Sequence, residues 1–465
     1  MDKRIVLVGA GSTSFGPASL TDLSLSKVLP GSTIVLHDID HEKLEMIYEL
    51  TLEENKKIGE KYEIERTTDR KKAFQDADFI ISSIEVGKRF KLWMQDYEIP
   101  RKHGSTQILG ECGGPGGSFH AFRIIPPIIE IVKDAEKICP DAFFINFSNP
   151  MSRVCLAIKR SVTTLKWCGL CHQIGFMDRH LPFILDENLR EDKLESLSSL
   201  ERVKMVEKYH DKAWENLRMK VGGLNHFAFL LDVTNPNTGE SLMPQFNERA
   251  LDYFKKHEDR FEFSDLTFEV YKRFGWFPYV GDNHLGEYLQ FGEEFTETQD
   301  MLDWIKRADQ GGSGIYKRVT RYHRRLKKGR YPRKGLLPKE ATGERAIPII
   351  EAIAQDSNSY ESAVNIPNQG IIDNLPRDLV VEVSVRVDKN GVHGVKVGKL
   401  DKGIAALLRI EASVQDLCVD AILNKSKEQA INCLAVDPNV GSFEKAEAMF
   451  NEMQALQSEY LNYFK

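Results

Sequence analysis

The sequence predicts an α/β protein, with a parallel sheet in its N-terminal part and an α+β domain in its C-terminal part. Three observations lead to this prediction. Short apolar runs alternate with helical stretches up to about residue 200, charged helices dominate beyond that point, and two alternating segments near residue 380 carry a hairpin turn signal. We expect two domains, residues 1–200 and residues 201–465, with the functional site at their boundary.

The apolar runs in the first half have the length and composition of buried β-strands. Each is rich in Val, Ile or Phe and ends in Gly, Asp, Ser, Asn or Cys. They span residues 4–8, 33–36, 79–84, 143–147 and 167–170. Ligands of open parallel sheets bind beyond the carboxyl ends of the strands, so the polar residues that follow these runs are candidates for a binding site. The pattern therefore predicts a Rossmann-like, doubly wound sheet with a ligand crevice along one edge.

The second half is predicted to contain long helices and a β-hairpin. Residues 201–220 have the charge pattern of a helix, and residues 225–233 have that of a strand. Residues 380–387 and 392–397 alternate in polarity and are joined by Asp-Lys-Asn-Gly, a strong turn signal. Two further segments have the apolar periodicity of amphipathic helices. They are residues 404–423 and 442–460.

Composition argues for a protein that acts on small molecules. The formal net charge is −6, with acidic and basic residues interspersed, which disfavours nucleic acid and anionic membranes as partners. No stretch reaches the roughly 18 apolar residues of a membrane-spanning helix, and the N-terminus lacks a signal-peptide pattern. The 7 cysteines, an odd and low number, fit reduced thiols. We expect a cytoplasmic protein.

One segment, residues 317–334, has a local excess of positive charge. Such runs are usually solvated, so we expect a helix end followed by a turn. The alternative is that one of its arginines binds the carboxylate of an acidic substrate, since a guanidinium can pair with a carboxylate through two hydrogen bonds. Nucleic-acid binding is disfavoured because no aromatic or repeated pattern accompanies the charge.

A glycine turn directly after the first strand predicts a dinucleotide site. The turn opens a helix, where free backbone N–H groups and the helix dipole favour a pyrophosphate. The third glycine of the usual fingerprint is replaced by Ser14, so the match is incomplete, and the alternative is that the glycines only allow a tight turn. The residues expected to face the cofactor are Gly9, Gly11, Ser12 and Thr13.

The residues after the neighbouring strands strengthen this prediction. Asp38 ends the second strand, where a carboxylate can accept hydrogen bonds from the ribose hydroxyls. The same charge repels a 2′-phosphate, which favours NAD over NADP. Ser83 and Asn149 follow later strands and are expected to line the nicotinamide half of the crevice.

Three further segments carry residue types that packing alone does not explain. Cys168 and Cys171 form a C-x-x-C that could be half of a zinc site or a redox pair. A structural zinc is disfavoured because no second pair of ligands follows, and a redox pair usually begins a helix rather than ending a strand. His226, taken alone, fits a buried structural histidine. The third segment, residues 277–288, combines aromatic, acidic and histidine side chains.

The order of these motifs resembles that of the family 4 glycoside hydrolases over nearly the whole chain. The shared motifs are Gly9-x-Gly11-Ser12-Thr13, Gly113-Gly114-Pro115-Gly116-Gly117, Asn149-Pro150, Gly169-Leu170-Cys171-His172 and Gly223-Leu224-Asn225-His226. Two finer features are similar to the α-galacturonidase-like branch. They are Arg89-Phe90-x-Leu92-Trp93 and Gly110-Glu111.

The resemblance implies a role for each of several residues. Cys171 and His226 would ligate a divalent metal, usually Mn²⁺, although this donor pair also suits Zn²⁺ or Co²⁺. His172 would be the proton donor, and Asn149 would hydrogen-bond the sugar. Asp282 is the preferred base, with two alternates in the same segment. The alternates are Tyr279 and Tyr288.

The resemblance also implies a reaction that departs from ordinary glycosidase chemistry. The sugar is oxidised at C3 with NAD, loses its C2 proton, eliminates the aglycone from C1, adds water and is reduced again at C3. We expect α-linked uronides as substrates, galacturonides first, and a dimer or tetramer. The alternatives are an α-glucosidase, α-galactosidase or α-glucuronidase of the same family, and a lactate- or malate-type NAD-dependent dehydrogenase, which shares the N-terminal fold.

Overall fold

The structure is a computed structural model that describes residues 1–12, 15–256, 264–296, 299–311, 314–330, 337 and 341–465. Its strands join into one sheet in the order β3-β2-β1-β4-β5-β6-β10-β11-β7-β8-β9, with β12 paired to β11. The strands are β1 (Arg4–Val8), β2 (Thr33–His37), β3 (Glu63–Thr67), β4 (Phe79–Ser82), β5 (Phe143–Asn146), β6 (Lys166–Gly169), β7 (Arg218–Leu224), β8 (Phe227–Thr234), β9 (Phe277–Pro278), β10 (Ser359–Pro367), β11 (Val380–Asp388) and β12 (Gly391–Gly394).

The α-helices cover both faces of this sheet. They are α1 (Phe15–Leu25), α2 (His41–Lys57), α3 (Arg70–Ala73), α4 (Arg89–Lys102), α5 (Gly114–Ile138), α6 (Met151–Ser161), α7 (Gly175–Leu185), α8 (Glu191–Glu195), α9 (Ser199–Ala213), α10 (Met243–Lys256), α11 (Asp265–Phe274), α12 (Asp282–Leu285), α13 (Gln299–Gly311), α14 (Gly314–Leu326), α15 (Ala346–Gln355), α16 (Lys402–Asn424), α17 (Lys427–Val436), α18 (Phe443–Leu456) and α19 (Ser458–Leu461).

The first six strands are parallel and follow the Rossmann order 3-2-1-4-5-6. Alternate residues of β1 enter two different cores: Ile5 and Leu7 face one layer of helices, and Val6 and Val8 face the other. The predicted doubly wound sheet is therefore confirmed. β3 was not predicted because it is an edge strand whose sequence, Glu-Ile-Glu-Arg-Thr, contains no apolar run.

The remaining strands extend the sheet in antiparallel fashion from β6. β10 pairs with β6 through Asn365 and Gly169, and β11, β7 and β8 follow. The predicted hairpin is confirmed as β11 and β12, although β12 ends at Gly394. The continuous sheet thus crosses residue 200, the expected boundary between two domains. The division into two domains stays a prediction.

One predicted helix is wrong in its second half. Residues 201–220 were expected to be helical throughout, but α9 ends at Ala213 and residues 218–220 belong to β7. In β7 the buried Met219 and Val221 alternate with half-buried charged residues, which is the period of a strand. The following strand begins at Phe227 rather than at residue 225, because the two residues before it form the turn between β7 and β8.

The C-terminal helices pack on the N-terminal half. The predicted helix at residues 404–423 is confirmed as α16, and residues 442–460 form two helices, α18 and α19. Phe450 of α18 lies against Phe119 and Phe122 of α5 within one apolar core. In the part of the chain that the structure describes, no helix is both long enough and apolar enough to span a membrane.

The basic segment forms α14 and the turn that follows it, and it lies against α2. His323 and Lys327 form ion pairs with Glu49 of α2. Most other basic side chains between residues 317 and 330 are exposed, as expected for a solvated run. The end of the segment, residues 331–334, lies outside the described residues.

Candidate active site

The glycine turn lies at the carboxyl edge of the parallel strands. Gly9 has φ +84, and a Cβ there would lie 2.3 Å from the backbone oxygen of Ser83, the residue that follows β4. The turn closes through a hydrogen bond from the Ser12 N–H to the Gly9 carbonyl at 3.1 Å. A side chain at position 9 would therefore fill the space between β1 and β4, which is the switch point of this strand order. Thr13 lies outside the described residues.

Asp38 is placed beside this turn. Its Oδ2 accepts a hydrogen bond from the Gly11 N–H at 2.8 Å, and its Oδ1 accepts one from the Asp40 N–H at 2.8 Å. The carboxylate is half-buried and keeps further lone pairs for hydroxyl groups. The structure thus places Gly9, Gly11, Ser12, Asp38 and Ser83 close together at this edge of the sheet, and their role in cofactor binding stays a prediction.

Two buried polar atoms at the same edge have no hydrogen-bond partner among the described residues. They are Ser82 Oγ, at the end of β4, and Asn149 Oδ1, just after β5. Buried polar atoms are nearly always satisfied, so their position at a ligand-binding edge fits the presence of a bound cofactor or sugar. Asn149 is where the sequence placed a substrate contact.

Cys171 and His226 meet at this edge, although 55 residues separate them. Cys171 follows β6, His226 lies in the turn between β7 and β8, and the Cys171 Sγ is 3.0 Å from the His226 Nε2. The His226 side chain is 3% exposed, and its Nδ1 is buried without a partner in the described structure. Burial lowers the pKa of His226 well below its usual value, and the nearby His284 and His172 lower it further.

This pair fits a divalent metal. A neutral imidazole and a sulfur are soft-to-borderline donors that bind transition metals, and the low pKa of His226 keeps its ring in the metal-binding form. Within the described ranges no third His, Cys, Asp or Glu joins them to form a closed ligand set. Open coordination positions of this kind are typical of catalytic rather than structural metals.

A second histidine lies against His226. The ring centroids of His284 and His226 are 4.6 Å apart, and the His284 Nδ1 is 3.0 Å from the Glu287 Oε1. The other oxygen of Glu287 accepts hydrogen bonds from the N–H groups of Cys112 and Gly113, at 2.6 and 2.5 Å. Burial lowers the pKa of His284, but the hydrogen bond and charge of Glu287 outweigh this effect and leave it raised.

His284 and Glu287 were not among the residues expected to act in the site, although they belong to one of the three segments singled out above. The signal in the sequence is a His and a Glu spaced i, i+3 on a helical turn. This pair connects His226 to the glycine loop at the start of α5.

His172 is the most open of the predicted catalytic residues. It follows Cys171 in a single turn of 3₁₀-helix, and its side chain is 73% exposed. Its Nδ1 is 3.8 Å from the Glu344 Oε1. Burial and the nearby Asp22 raise the pKa of Glu344 to about 7. His172 is therefore placed to meet a substrate that enters beside Cys171.

The preferred base, Asp282, has a different task in the structure. Both of its oxygens accept hydrogen bonds from the start of α11, three from backbone N–H groups and two from hydroxyl groups. The donor residues are Ser264, Leu266 and Thr267. Asp282 is also buried, so its carboxylate caps a helix and has no open lone pair for a substrate proton. We no longer favour this assignment.

The two tyrosine alternates are also engaged. The Tyr279 Oη donates a hydrogen bond to Glu382 at 2.5 Å, and the Tyr288 Oη accepts one from the His226 N–H at 3.2 Å. Burial raises the pKa of both hydroxyls well above the usual value, which works against their acting as bases. Tyr279 and Tyr288 thus lie beside the metal pair and support it from within the protein.

A small cavity lies between β4, α4 and α5. The basic side chains that line it each contact a carboxylate. The contacts are Arg89 with Glu111 at 2.7 Å, Arg123 with Asp96 at 2.5 Å, and His120 with Glu85 at 3.4 Å. Glu111 and Arg89 also act electrostatically on His172, so this cavity borders the site.

Comparison with known proteins agrees with this geometry. Residues 4–187 match the family 4 glycosyl hydrolase model, and residues 221–440 match the family 4 glycosyl hydrolase C-terminal domain. An α-glucosidase of Erwinia rhapontici is 34% identical, with 100% of both chains covered. An α-galacturonidase of Thermoanaerobacter italicus is 26% identical, with 98% of this chain and 97% of the relative covered.

A solved structure shares the fold over the whole length. It is a 6-phospho-α-glucosidase from gut microorganisms in complex with NAD and Mn²⁺, with a TM-score of 0.78, 23% identity and 99% of each chain covered. The identity to the α-glucosidase and the two matched domains decide against a lactate- or malate-type dehydrogenase. The chain belongs to family 4 of the glycosyl hydrolases and is a glycoside hydrolase.

Proposed function

We propose that this enzyme hydrolyses α-glycosidic bonds with NAD and a divalent metal, Mn²⁺ first, through oxidation at C3, elimination across C1 and C2, addition of water and reduction at C3. The observation that carries the proposal is the 3.0 Å approach of the Cys171 Sγ to the His226 Nε2 at the edge of the sheet that also holds the glycine turn. The solved relative in complex with NAD and Mn²⁺ supports the choice of both cofactors.

The nucleotide half of the crevice would bind and orient NAD, which supplies a hydride acceptor that later returns the hydride. Gly9 and Gly11 carry no side chain that would block a pyrophosphate at the start of α1, and Asp38 would accept hydrogen bonds from ribose hydroxyls. The orphaned Asn149 Oδ1 is available to a sugar hydroxyl. Because the hydride is returned in the same catalytic cycle, the net reaction is a hydrolysis without net oxidation.

The metal half would bind the sugar at the hydroxyls next to the scissile bond. Cys171 and His226 would hold the cation, which supplies a Lewis acid where negative charge develops during loss of the C2 proton. His172, exposed beside Cys171, would donate a proton to the leaving oxygen. The C2 proton would pass to a base near His284, which Glu287 holds beside His226.

The sugar that we propose first is a neutral α-glucoside. The basic side chains of the adjoining cavity are already paired with carboxylates, an arrangement that suits hydroxyl groups better than a second anion. The 34% identity to an α-glucosidase points the same way. An α-galacturonide is the second candidate, because Arg89 could exchange Glu111 for a substrate carboxylate and because the 26% identical relative is an α-galacturonidase.

A substrate panel tests this proposal. Purified enzyme is assayed under reducing conditions with aryl α-glucoside, α-galactoside, α-galacturonide and β-glucoside, each with and without NAD and Mn²⁺. We expect cleavage of the α-glucoside only when both cofactors are present. Faster cleavage of the α-galacturonide would select the second candidate, and cleavage without NAD would contradict the oxidation route.

We further propose a cytosolic enzyme that assembles as a dimer or tetramer. All 7 cysteines are free, and the Cys171 thiol must stay reduced to bind a metal, which suits a reducing compartment with an NAD pool. The oligomeric state follows the expectation from the family, and light scattering of the purified protein measures it.

A further inference from the structure

Glu382 is a buried carboxylate behind the metal pair. It lies on β11 and is 2% exposed. Side chains from three other segments donate hydrogen bonds to it. The donors are Tyr279 Oη at 2.5 Å, Asn225 Nδ2 at 2.9 Å and Asn365 Nδ2 at 3.1 Å. Among the described residues, no basic side chain forms an ion pair with it or contributes to its pKa shift.

A buried carboxylate without a cation is energetically unfavourable. Burial raises the pKa of Glu382, and the three hydrogen bonds only partly counteract this effect. The desolvation of an ionised carboxylate in a protein interior is unfavourable unless a positive charge compensates it. A cation bound nearby would compensate this charge.

The partners of Glu382 belong to the two segments that carry the proposed metal ligands. Asn225 directly precedes His226 in the β7–β8 turn. Asn365 pairs with Gly169 at the end of β6, two residues before Cys171. Glu382 thus contacts Asn225, next to His226, and Asn365, which pairs with the strand that leads to Cys171.

Both amides are oriented with their N–H groups towards the Glu382 carboxylate. Asn225 Oδ1 and Asn365 Oδ1 are both buried without a partner in the described structure. Both side chains leave their oxygens unsatisfied while their N–H groups point to Glu382. An unsatisfied buried oxygen is unfavourable, and the hydrogen bonds that the N–H groups donate to Glu382 help to offset it.

We propose that Glu382 is a positioning residue of the metal centre. Glu382 holds Asn225 and Asn365 against the segments of His226 and Cys171, and it adds negative charge that attracts a divalent cation. The inference rests on the proposed function, since it assumes that Cys171 and His226 bind a metal. In the absence of the cation, the carboxylate and a Cys171 thiolate repel each other. When the cation is present, both attract it.

The test is the Mn²⁺ affinity of Glu382→Gln, measured by electron paramagnetic resonance of free Mn²⁺ with saturating NAD. Loss of an outer-shell partner typically costs about 10- to 100-fold in metal affinity, and we expect a rise of this size in the Kd. The melting temperature of the metal-free variant should equal or exceed that of the wild type, because the substitution removes an uncompensated charge. Its amide can also donate to one of the orphaned oxygens.

A purely structural role predicts the opposite pattern, a lower melting temperature with unchanged Mn²⁺ affinity, and that result would overturn the proposal. Asp437→Asn is the matched control: it removes another buried carboxyl, whose pKa burial raises to about 6, and should leave the Kd unchanged. If Glu382→Gln does not fold, Glu382→Asp takes its place, and an unchanged Kd there likewise overturns the proposal. Absence of Mn²⁺ binding in the wild type would instead contradict the proposed function.

Discussion

The glycine turn and the metal pair lie at the same edge of one sheet but are built in different ways. The turn consists of neighbouring residues, and its partner Asp38 follows the adjacent strand β2. Cys171 follows β6 and His226 lies in the β7–β8 turn, and their side chains meet although β10 and β11 lie between these strands in the sheet. A local motif needs only its own strand and helix, whereas the proposed metal site depends on the order of the whole sheet.

If the glycine turn binds NAD and the Cys171–His226 pair binds the metal independently, a substitution at one of them should leave ligand binding at the other unchanged. The largest effect is expected from Cys171→Ser and His226→Ala. Each removes one of the two proposed protein ligands, so Mn²⁺ binding should be lost and kcat/KM should fall by about 10³-fold or more, the equivalent of several kcal/mol of transition-state stabilisation. The NAD Kd, measured by fluorescence titration, should stay within about threefold of wild type.

Cys168→Ser is the matched control for this prediction. Cys168 belongs to the same C-x-x-C but is fully buried in β6, so the variant should retain Mn²⁺ binding. A parallel loss of NAD affinity in Cys171→Ser and His226→Ala would show that the two sites are not separable.

A second experiment changes the glycine turn, where NAD is proposed to bind. In Gly9→Ala, the new Cβ would lie 2.3 Å from the Ser83 carbonyl oxygen in a backbone conformation with φ +84. Strain of this kind costs about 1–3 kcal/mol, so the NAD Kd should rise by roughly 10- to 100-fold. Mn²⁺ binding should persist.

Gly31→Ala separates steric conflict from backbone strain. Gly31 has φ +93, but a Cβ there meets no atom within 4 Å. This variant should lose a little stability and keep its NAD affinity. Equal NAD affinity in Gly9→Ala and wild type would contradict the placement of the turn in the crevice.

A smaller effect is expected at Asp282, the residue that was expected to be the catalytic base. Asp282→Asn should lower the free energy of unfolding by about 1 kcal/mol, the typical contribution of a helix cap, and should change kcat by no more than a few-fold. The measurements are thermal unfolding and initial rates. A general base contributes about 10²-fold or more, so a loss of that size with an unchanged melting temperature would restore Asp282 to the catalytic role.

The parts of the structure that the sequence predicts are those encoded locally. The five predicted strands β1, β2, β4, β5 and β6 are apolar because both faces of the parallel sheet are covered. The glycine turn and the hairpin also depend on neighbouring residues. β3 at the edge and β7 beside the charged helix α9 were missed, because their apolar residues alternate with charged ones and form no run.

The site required the resemblance to a family, because its residues are distant in the chain. No spacing rule connects Cys171 to His226, and nothing in the sequence around Glu382 indicates that three donors converge on it. Asp282 illustrates the reverse problem. The local sequence does not tell whether a carboxylate caps a helix or abstracts a proton. For Asp282, the hydrogen bonds from residues 264–267 distinguish these two roles.

The central claim, that both halves act on the same sugar, is tested most directly by hydrogen exchange at C2. The enzyme is incubated in D₂O with an aryl α-glucoside, NAD and Mn²⁺, and the released sugar is analysed by mass spectrometry and NMR. We predict deuterium at C2 in the product, and neither cleavage nor exchange when NAD or the metal is omitted. Cleavage with hydrogen fully retained at C2 would contradict the account.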